Sequence, residues 1–371
     1  MAFLYILFAA AIPFSACAQE VYNEVQGIYS ARVLRITDAE IVEVPGTDTV
    51  AEVQTLTARI LEGPQKGKEI TFQNDYQQLK EGSRFFIRHL KTIDGVERYT
   101  VADIDRRGPL IILGCLFAGM ILWLSGKQGV RSLISLIGSI LVIIYVLLPG
   151  LLAGYSPVLI SIGIAVAILC AAIFLTHGIN RESIAAFLGT ISAICLTGFF
   201  AYFAVHITQL TGFASEEAVY LNIHTDGVLD FAGLLLGGII IGILGVLDDI
   251  AVTQAVVVGE LYRSNAEQNK WNVYKRALHV GREHVGALVN TLALAYTGSA
   301  LPLLLLFSES TAKFSLLINQ EIIATEIVRT IVGSIGLILT VPITTFIAVY
   351  LLKDQTGQEK HISHSHSHHS H

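Results

Sequence analysis

Two adjacent carboxylates stand in some of the most apolar sequence of the chain. Asp248 and Asp249 fall between the apolar runs 231–247 and 250–258, within Gly245-Val-Leu-Asp248-Asp249-Ile-Ala-Val-Thr-Gln254. An ionised side chain at the centre of a bilayer costs about 3 kcal/mol or more, so one retained there marks a functional position by default. If the segment breaks at the pair, freed backbone groups and two neighbouring carboxylates make a site suited to a small cation or a proton. The other reading is that the aspartates cap a following cytoplasmic helix, aspartate being a favoured N-cap, while Gln254 faces a neighbouring helix.

Further polar residues surround this stretch. Arg282-Glu283-His284 precedes another apolar run, with His279 nearby, and Asn290, Thr291 and Thr297 lie inside it. Asn290 and Thr297 share a helix face and either line a path with the aspartates or hydrogen-bond neighbouring helices. Glu326 and Arg329 are three residues apart, the spacing of an ion pair on one helix face, and Glu321 lies about a turn earlier. This group reads as a gate or as an interfacial ion pair. Asp230, His206 and His177 fall at expected helix ends. The tail carries His364, His366, His368 and His369 among six closely spaced histidines. Imidazoles at this density bind divalent metal, which makes the tail a weak metal candidate and the only cofactor expectation.

The elements that must hold these groups are membrane helices. Of 371 residues 53% are hydrophobic and only 15% charged, against roughly a quarter charged in soluble chains, and the mean hydropathy is +0.61. A net charge of −6 without any basic patch excludes nucleic acid as a partner. Apolar runs at 109–125, 131–149, 157–176, 183–206, 228–247, 285–307 and 327–351 read as about seven spans. Gly233 with Gly237, and Gly238 with Gly242, give spacing that lets helices approach closely or slide.

Ahead of the spans, residues 1–18 read as a signal peptide ending in Ala16-Cys17-Ala18, although no Lys or Arg precedes the apolar core. An uncleaved anchor and acylation at Cys17 are the alternatives. Residues 19–107 read as a small β domain. The stretch 50–60 alternates apolar and polar residues, turns fall at Glu62-Gly63-Pro64, Lys66-Gly67-Lys68, Glu81-Gly82-Ser83 and Asp94-Gly95, and five short strands suit an OB-like barrel. This domain carries no evident site and reads as a structural cap. No disulfide framework is expected, since 19–107 lacks cysteine.

Loop charge gives an orientation. With the β domain outside, the expected inner stretches carry Lys127, Arg131, Arg181, Arg263, Lys270, Lys275, Arg276, Arg282 and Lys353. The expected outer loops hold almost none, Lys313 excepted, and Arg106 and Arg107 alone oppose the pattern. The expected layout is an extracytoplasmic domain at 19–107, a transmembrane domain at 108–352 and a cytoplasmic His-rich tail at 353–371.

The membrane part resembles the YibE/F-like family of bacterial multipass membrane proteins. The resemblance rests on residues 245–254, on Val280-Gly-Arg-Glu-His284, and on Val289-Asn-Thr-Leu-Ala-Leu-Ala-Tyr-Thr-Gly298. It continues through residues 300–307, Glu326-Ile-Val-Arg329, residues 332–336 and Val341-Pro-Ile-Thr-Thr345. Glu283 stands where the family pattern has aspartate, and the histidine tail is no part of that pattern. The resemblance implies the architecture and marks these residues, and supplies no reaction.

Together these features lead to the expectation of a transporter or permease for a small cation, or a proton-coupled one. Asp248 and Asp249 would bind the ion, aided by Gln254, Glu283 and Asn290. A non-transporting scaffold or sensor is the alternative. An enzyme is not expected, because no HExxH, GxSxG or phosphate-binding loop is present. Substrate and oligomeric state are not legible.

Overall fold

Residues 27–43, 50–91, 97–309 and 313–365 are described by a computed structural model. The leader 1–18, the Asp94-Gly95 turn and the last histidines of the tail lie outside these residues. The chain forms two units, residues 1–121 and 122–371.

The first unit is built on a curled antiparallel sheet of five strands. These are β1 (Gly27–Glu43), β2 (Val50–Ile60), β3 (Glu69–Asn74), β4 (Arg84–Lys91) and β5 (Glu97–Ile104), in the order β3-β2-β1-β4-β5. Alternation puts Ala31, Val33, Leu56, Ala58, Ile60, Phe85 and Ile87 on the inner face, where they make one apolar cluster. The longest strand is β1, which pairs with β4 through its first residues and with β2 through the remainder. Irregularities between Val33 and Arg35 and between Ile36 and Asp38 bend it.

The outer strands β3 and β5 come into contact, yet among the described residues they share no backbone ladder. The sheet is therefore a half-barrel. Polar side chains cross the remaining gap: Lys68 donates to Glu97 at 2.9 Å and the Tyr99 hydroxyl donates to Gln65 at 2.7 Å. The ammonium of Lys68, and then the Tyr99 hydroxyl, hold the Glu97 carboxyl down at about 2, well below its ordinary 4.5. His89 is stacked on Tyr99 at 4.8 Å.

The second unit is helical, and its first helix starts in the first unit. In chain order the helices are α1 (Arg107–Val142), a π-helical stretch (Ile143–Leu147), α2 (Leu148–Leu152), α3 (Pro157–His177), α4 (Arg181–Ile207) and α5 (Glu216–His224). They continue with α6 (Phe231–Ser264), α7 (Lys270–Ser299), α8 (Leu301–Ser308), α9 (Phe314–Leu317) and α10 (Glu321–Ser365). Five helical segments are long and apolar enough to cross a membrane, and the bent pair α7–α8 makes up to six. The protein is thus a multi-span membrane protein. The bend, 64°, falls just before Pro302, which has no N–H to continue the helical ladder. The two expected spans 109–125 and 131–149 form one helical run, Arg107–Leu152, interrupted at Gly126. There φ is 52° and ψ −128°, a backbone state that favours glycine.

Side chains set several helix starts. Asn180, Ser215, Asp230 and Asn269 each accept a backbone N–H of the first turn of α4, α5, α6 and α7. The expected fifth span at 228–247 accordingly begins at the Asp230 cap.

Packing of α4, α6 and α10 depends on small residues. A Cβ placed on Gly336 would meet Thr197, one on Gly189 would meet Thr344, and one on Gly237 would meet Ser161 of α3. In lipid such close approach supplies the attraction between helices that water exclusion supplies elsewhere. Pro342 lies inside α10 and is tolerated there because neighbouring helices cover the gap in the ladder.

Candidate functional site

Helix α6 carries both aspartates near its middle and does not break. Its 34 residues run as one α-helix from Phe231 to Ser264. This corrects both expectations for the pair, since Asp248 and Asp249 neither interrupt the segment nor cap a new one. The physical reason is that an unbroken helix keeps every backbone hydrogen bond within the segment, where a break would leave groups without a partner.

Periodicity sorts α6 into two opposite faces. Ile243, Leu247, Ile250, Gln254 and Val258 are buried and point to the bundle core. Gly238, Gly242, Gly245 and Asp249 recur at four, three and four residues, which is one exposed stripe. Nothing lies within 4 Å of a Cβ built on Gly238 or Gly245, and only the Tyr296 hydroxyl, at 3.5 Å, meets one on Gly242. Asp249 is exposed and Asp248 half-buried. Among the described residues neither carboxylate has an ion-pair partner. His177, the last residue of α3, is within electrostatic reach of Asp249.

The same stripe begins at a cavity. An open cavity of about 620 Å³ is lined by the loop before α5, by α5 itself, by the first two turns of α6, by the α7–α8 junction and by the start of α10; Gly238 is part of its lining. Its charged lining residues are Glu217, Glu326 and Arg329. Arg329 donates to Glu326 at 3.0 Å, and both side chains stay partly exposed, at 31% and 27%. The pair does not use all its capacity: Glu326 Oε2 and Arg329 Nε have no partner, nor does Thr325 Oγ1 beside them. The Arg329 guanidinium lies 5.9 Å from the ring centre of Tyr296. Tyr296 therefore lies close to both Arg329 and Gly242. Glu321 has a separate task, accepting from the Thr211 and Gly212 amides at 2.8 and 2.7 Å and so tying the loop before α5 to α10.

The remaining expected residues divide by face. Gln254 is 1% exposed, accepts from Thr345 at 2.9 Å and packs beneath Gly281, so it belongs to the α6–α7–α10 contact, away from Asp249. Glu283, Asn290 and Thr297 are exposed and, at seven-residue spacing, form one stripe along α7. Neither Glu283 nor Asn290 hydrogen-bonds to Asp248 or Asp249 among the described residues. At the opposite end of α6, Arg263 joins Glu182 at 2.7 Å and Glu260 at 2.9 Å.

The metal expectation is corrected. Among the described residues no group of three or more His, Cys, Asp or Glu side chains could hold a metal ion. The tail histidines His364, His366, His368 and His369, on which it rested, lie outside the described side chains.

Sequence reasoning missed Thr325, Tyr296 and Glu217. Thr325 and Glu217 carry no signal of their own, because a cavity between distant segments leaves no spacing to read. The Gly238–Asp249 stripe did leave one in its four-three-four recurrence.

No curated protein and no solved structure matches the chain. The family described as YibE/F-like protein matches residues 113–354, which takes in every helix of the cavity and both aspartates. The chain therefore belongs to the YibE/F-like family.

Proposed function

We propose that the protein is a membrane permease for a small cation, or a proton-coupled one, in which Asp248 and Asp249 bind the ion. The observation that supports this reading is the open face of α6. Two carboxylates without a charged partner stand on or beside a stripe that glycines keep clear, and that stripe starts at the cavity. From Gly238 to Asp249 is about 16 Å along the helix, some three turns, at 1.5 Å per residue. An ion entering at the cavity passes the Glu326–Arg329 pair and Tyr296, then meets backbone and the α7 stripe of Glu283, Asn290 and Thr297. Gln254 holds α6 against α10 while this happens. The pair Glu326–Arg329 acts as the gate, since it is partly exposed and lines the cavity beside Tyr296.

The loop charges support an orientation with the β domain extracytoplasmic and the C-terminus cytoplasmic. That arrangement needs an odd number of crossings. The run Arg107–Leu152, 46 residues, is about 69 Å of helix, whereas the hydrocarbon core is about 30 Å thick. Read as two crossings joined at Gly126, and with α7–α8 as one, the chain crosses seven times. The cavity then opens on the extracytoplasmic side, and the β half-barrel tends toward the closed OB-like form with its polar seam in place of a ladder.

Reconstituted in liposomes, the wild type is expected to pass protons or small cations down an imposed gradient. Asp248→Asn with Asp249→Asn is expected to lower that flux at least tenfold while keeping helix content. Equal flux in the double variant contradicts the reading. No flux of any tested cation through wild type would favour a scaffold or sensor.

A further inference from the structure

Helix α7 carries a line of exposed side chains more regular than lipid requires. Val280, Glu283, Ala287, Asn290, Leu294 and Thr297 follow one another at alternating steps of three and four residues, and all six are exposed. The side of α7 that packs is a different one, formed by Val273, Ala277, Gly281 and Leu292. Contact with lipid asks for apolar side chains in any order. This line instead keeps the 3.5-residue period with which two helices wind around each other, and it carries an amide near its middle. The apolar run 285–307 puts that amide inside the membrane. The next residue, Thr291, returns its hydroxyl to the Ala287 carbonyl of its own helix. Asn290 has no such partner among the described residues. Its two donors and its acceptor are costly to leave unmet in hydrocarbon.

We propose that α7 pairs with the α7 of a second copy of this chain along that line, Asn290 hydrogen-bonding to Asn290 of the partner subunit. Self-complementarity selects this occupant. An amide both donates and accepts, so an identical amide across a two-fold axis answers it, and two-fold pairs are the commonest symmetric assembly. Lipid, or a facing helix with only apolar side chains, would leave it unmet. At one end of the line Arg282, Glu283 and His284 are all exposed, and among the described residues none is in an ion pair. Two copies therefore bring opposite charges to each other there. Ala287, about one turn from Asn290, is small enough to let the two backbones approach. In a permease the ion passes Glu283, Asn290 and Thr297, a stripe with no second wall in one copy, and the partner supplies that wall. The pairing itself does not depend on transport.

The test uses the full chain with Cys17, Cys115, Cys170 and Cys195 replaced by serine. Ala287→Cys or Leu294→Cys is introduced, and native membranes are oxidised with copper phenanthroline. Each is expected to give a disulfide-linked species of twice the chain's 40.2 kDa. Ile331→Cys, exposed on α10, is expected to give none. Asp248→Asn with Asp249→Asn should leave the cross-linking unchanged, so a failed cation reading does not touch this outcome. In detergent, sedimentation of Asn290→Leu is expected to show association weakened about tenfold for the lost amide pair, and Asn290→Gln, which keeps the amide, to show a smaller loss. The proposal is overturned if neither cysteine on α7 cross-links, or if Ile331→Cys does so equally. It is also overturned if the product's mass shows a different protein in place of the second chain, or if folded Asn290→Leu associates as wild type does.

Discussion

Thr345 donates both to Gln254 at 2.9 Å and to the Val341 carbonyl at 2.6 Å, and that sharing decides what Gln254 does. If Gln254 becomes leucine, the hydroxyl keeps its carbonyl and no buried group is orphaned. Gln254→Leu is therefore expected to cost less than about 1.5 kcal/mol in detergent melting and to retain flux. A loss of flux as large as that of the aspartate variants would put Gln254 in the path. The sequence showed Gln254 as a polar residue near two aspartates, and only helical phase separates it from them: five or six positions later it points into the core. In the other unit, the same residue-scale logic gives a pH dependence. Glu97 has a folded value of about 2 against an ordinary 4.5, so its contribution to stability is complete above about 4.5. It is lost as pH falls from there through 2. Acid titration of the full chain, read by hydrogen-exchange protection of β5 peptides, is expected to show that loss in wild type. Lys68→Met, which removes the first cause of the shift, should flatten it.

Helices α6 and α10 contain two kinds of glycine, and substitutions distinguish them. A Cβ on Gly237 or Gly336 collides with Ser161 or Thr197, whereas one on Gly245 meets nothing within 4 Å. Gly336→Val is expected to destabilise the bundle by about 1–3 kcal/mol. Gly245→Leu should leave the melting temperature nearly unchanged and still block transport by filling the open face. If Gly245→Leu melts early instead, that face is packed in the membrane and is no path. Which glycines pack was not legible, because small-residue spacing reads alike on a packed and an open face. Apolar length marked most spans well, as at α3, α4 and α10. It failed at Asp248–Asp249, where charge suggested a break and the helix runs on, and at Gly126, where one residue governs whether 46 residues count as one run or two. Strand β1 is the one of the five expected strands that the sequence does not locate, for a related reason. Its two irregularities shift the register, so side chains lose the strict alternation that made β2 easy to read.

At the scale of the whole molecule, a cavity at one end of the helical unit and a carboxylate pair within it are joined by a single helix face. That face is in water if the protein is a permease and in lipid if it is a scaffold. The distinction can be measured without knowing the cation. Cys17, Cys115, Cys170 and Cys195 are replaced by serine, Gly245→Cys is introduced, and the protein in sealed vesicles is exposed to a charged, membrane-impermeant thiol reagent. The account predicts rapid labelling of position 245, slowed when the cavity is filled by Leu303→Trp. Absence of labelling, equal to that of a cysteine placed at the lipid-exposed Ile331, would contradict a water-filled route to Asp248 and Asp249.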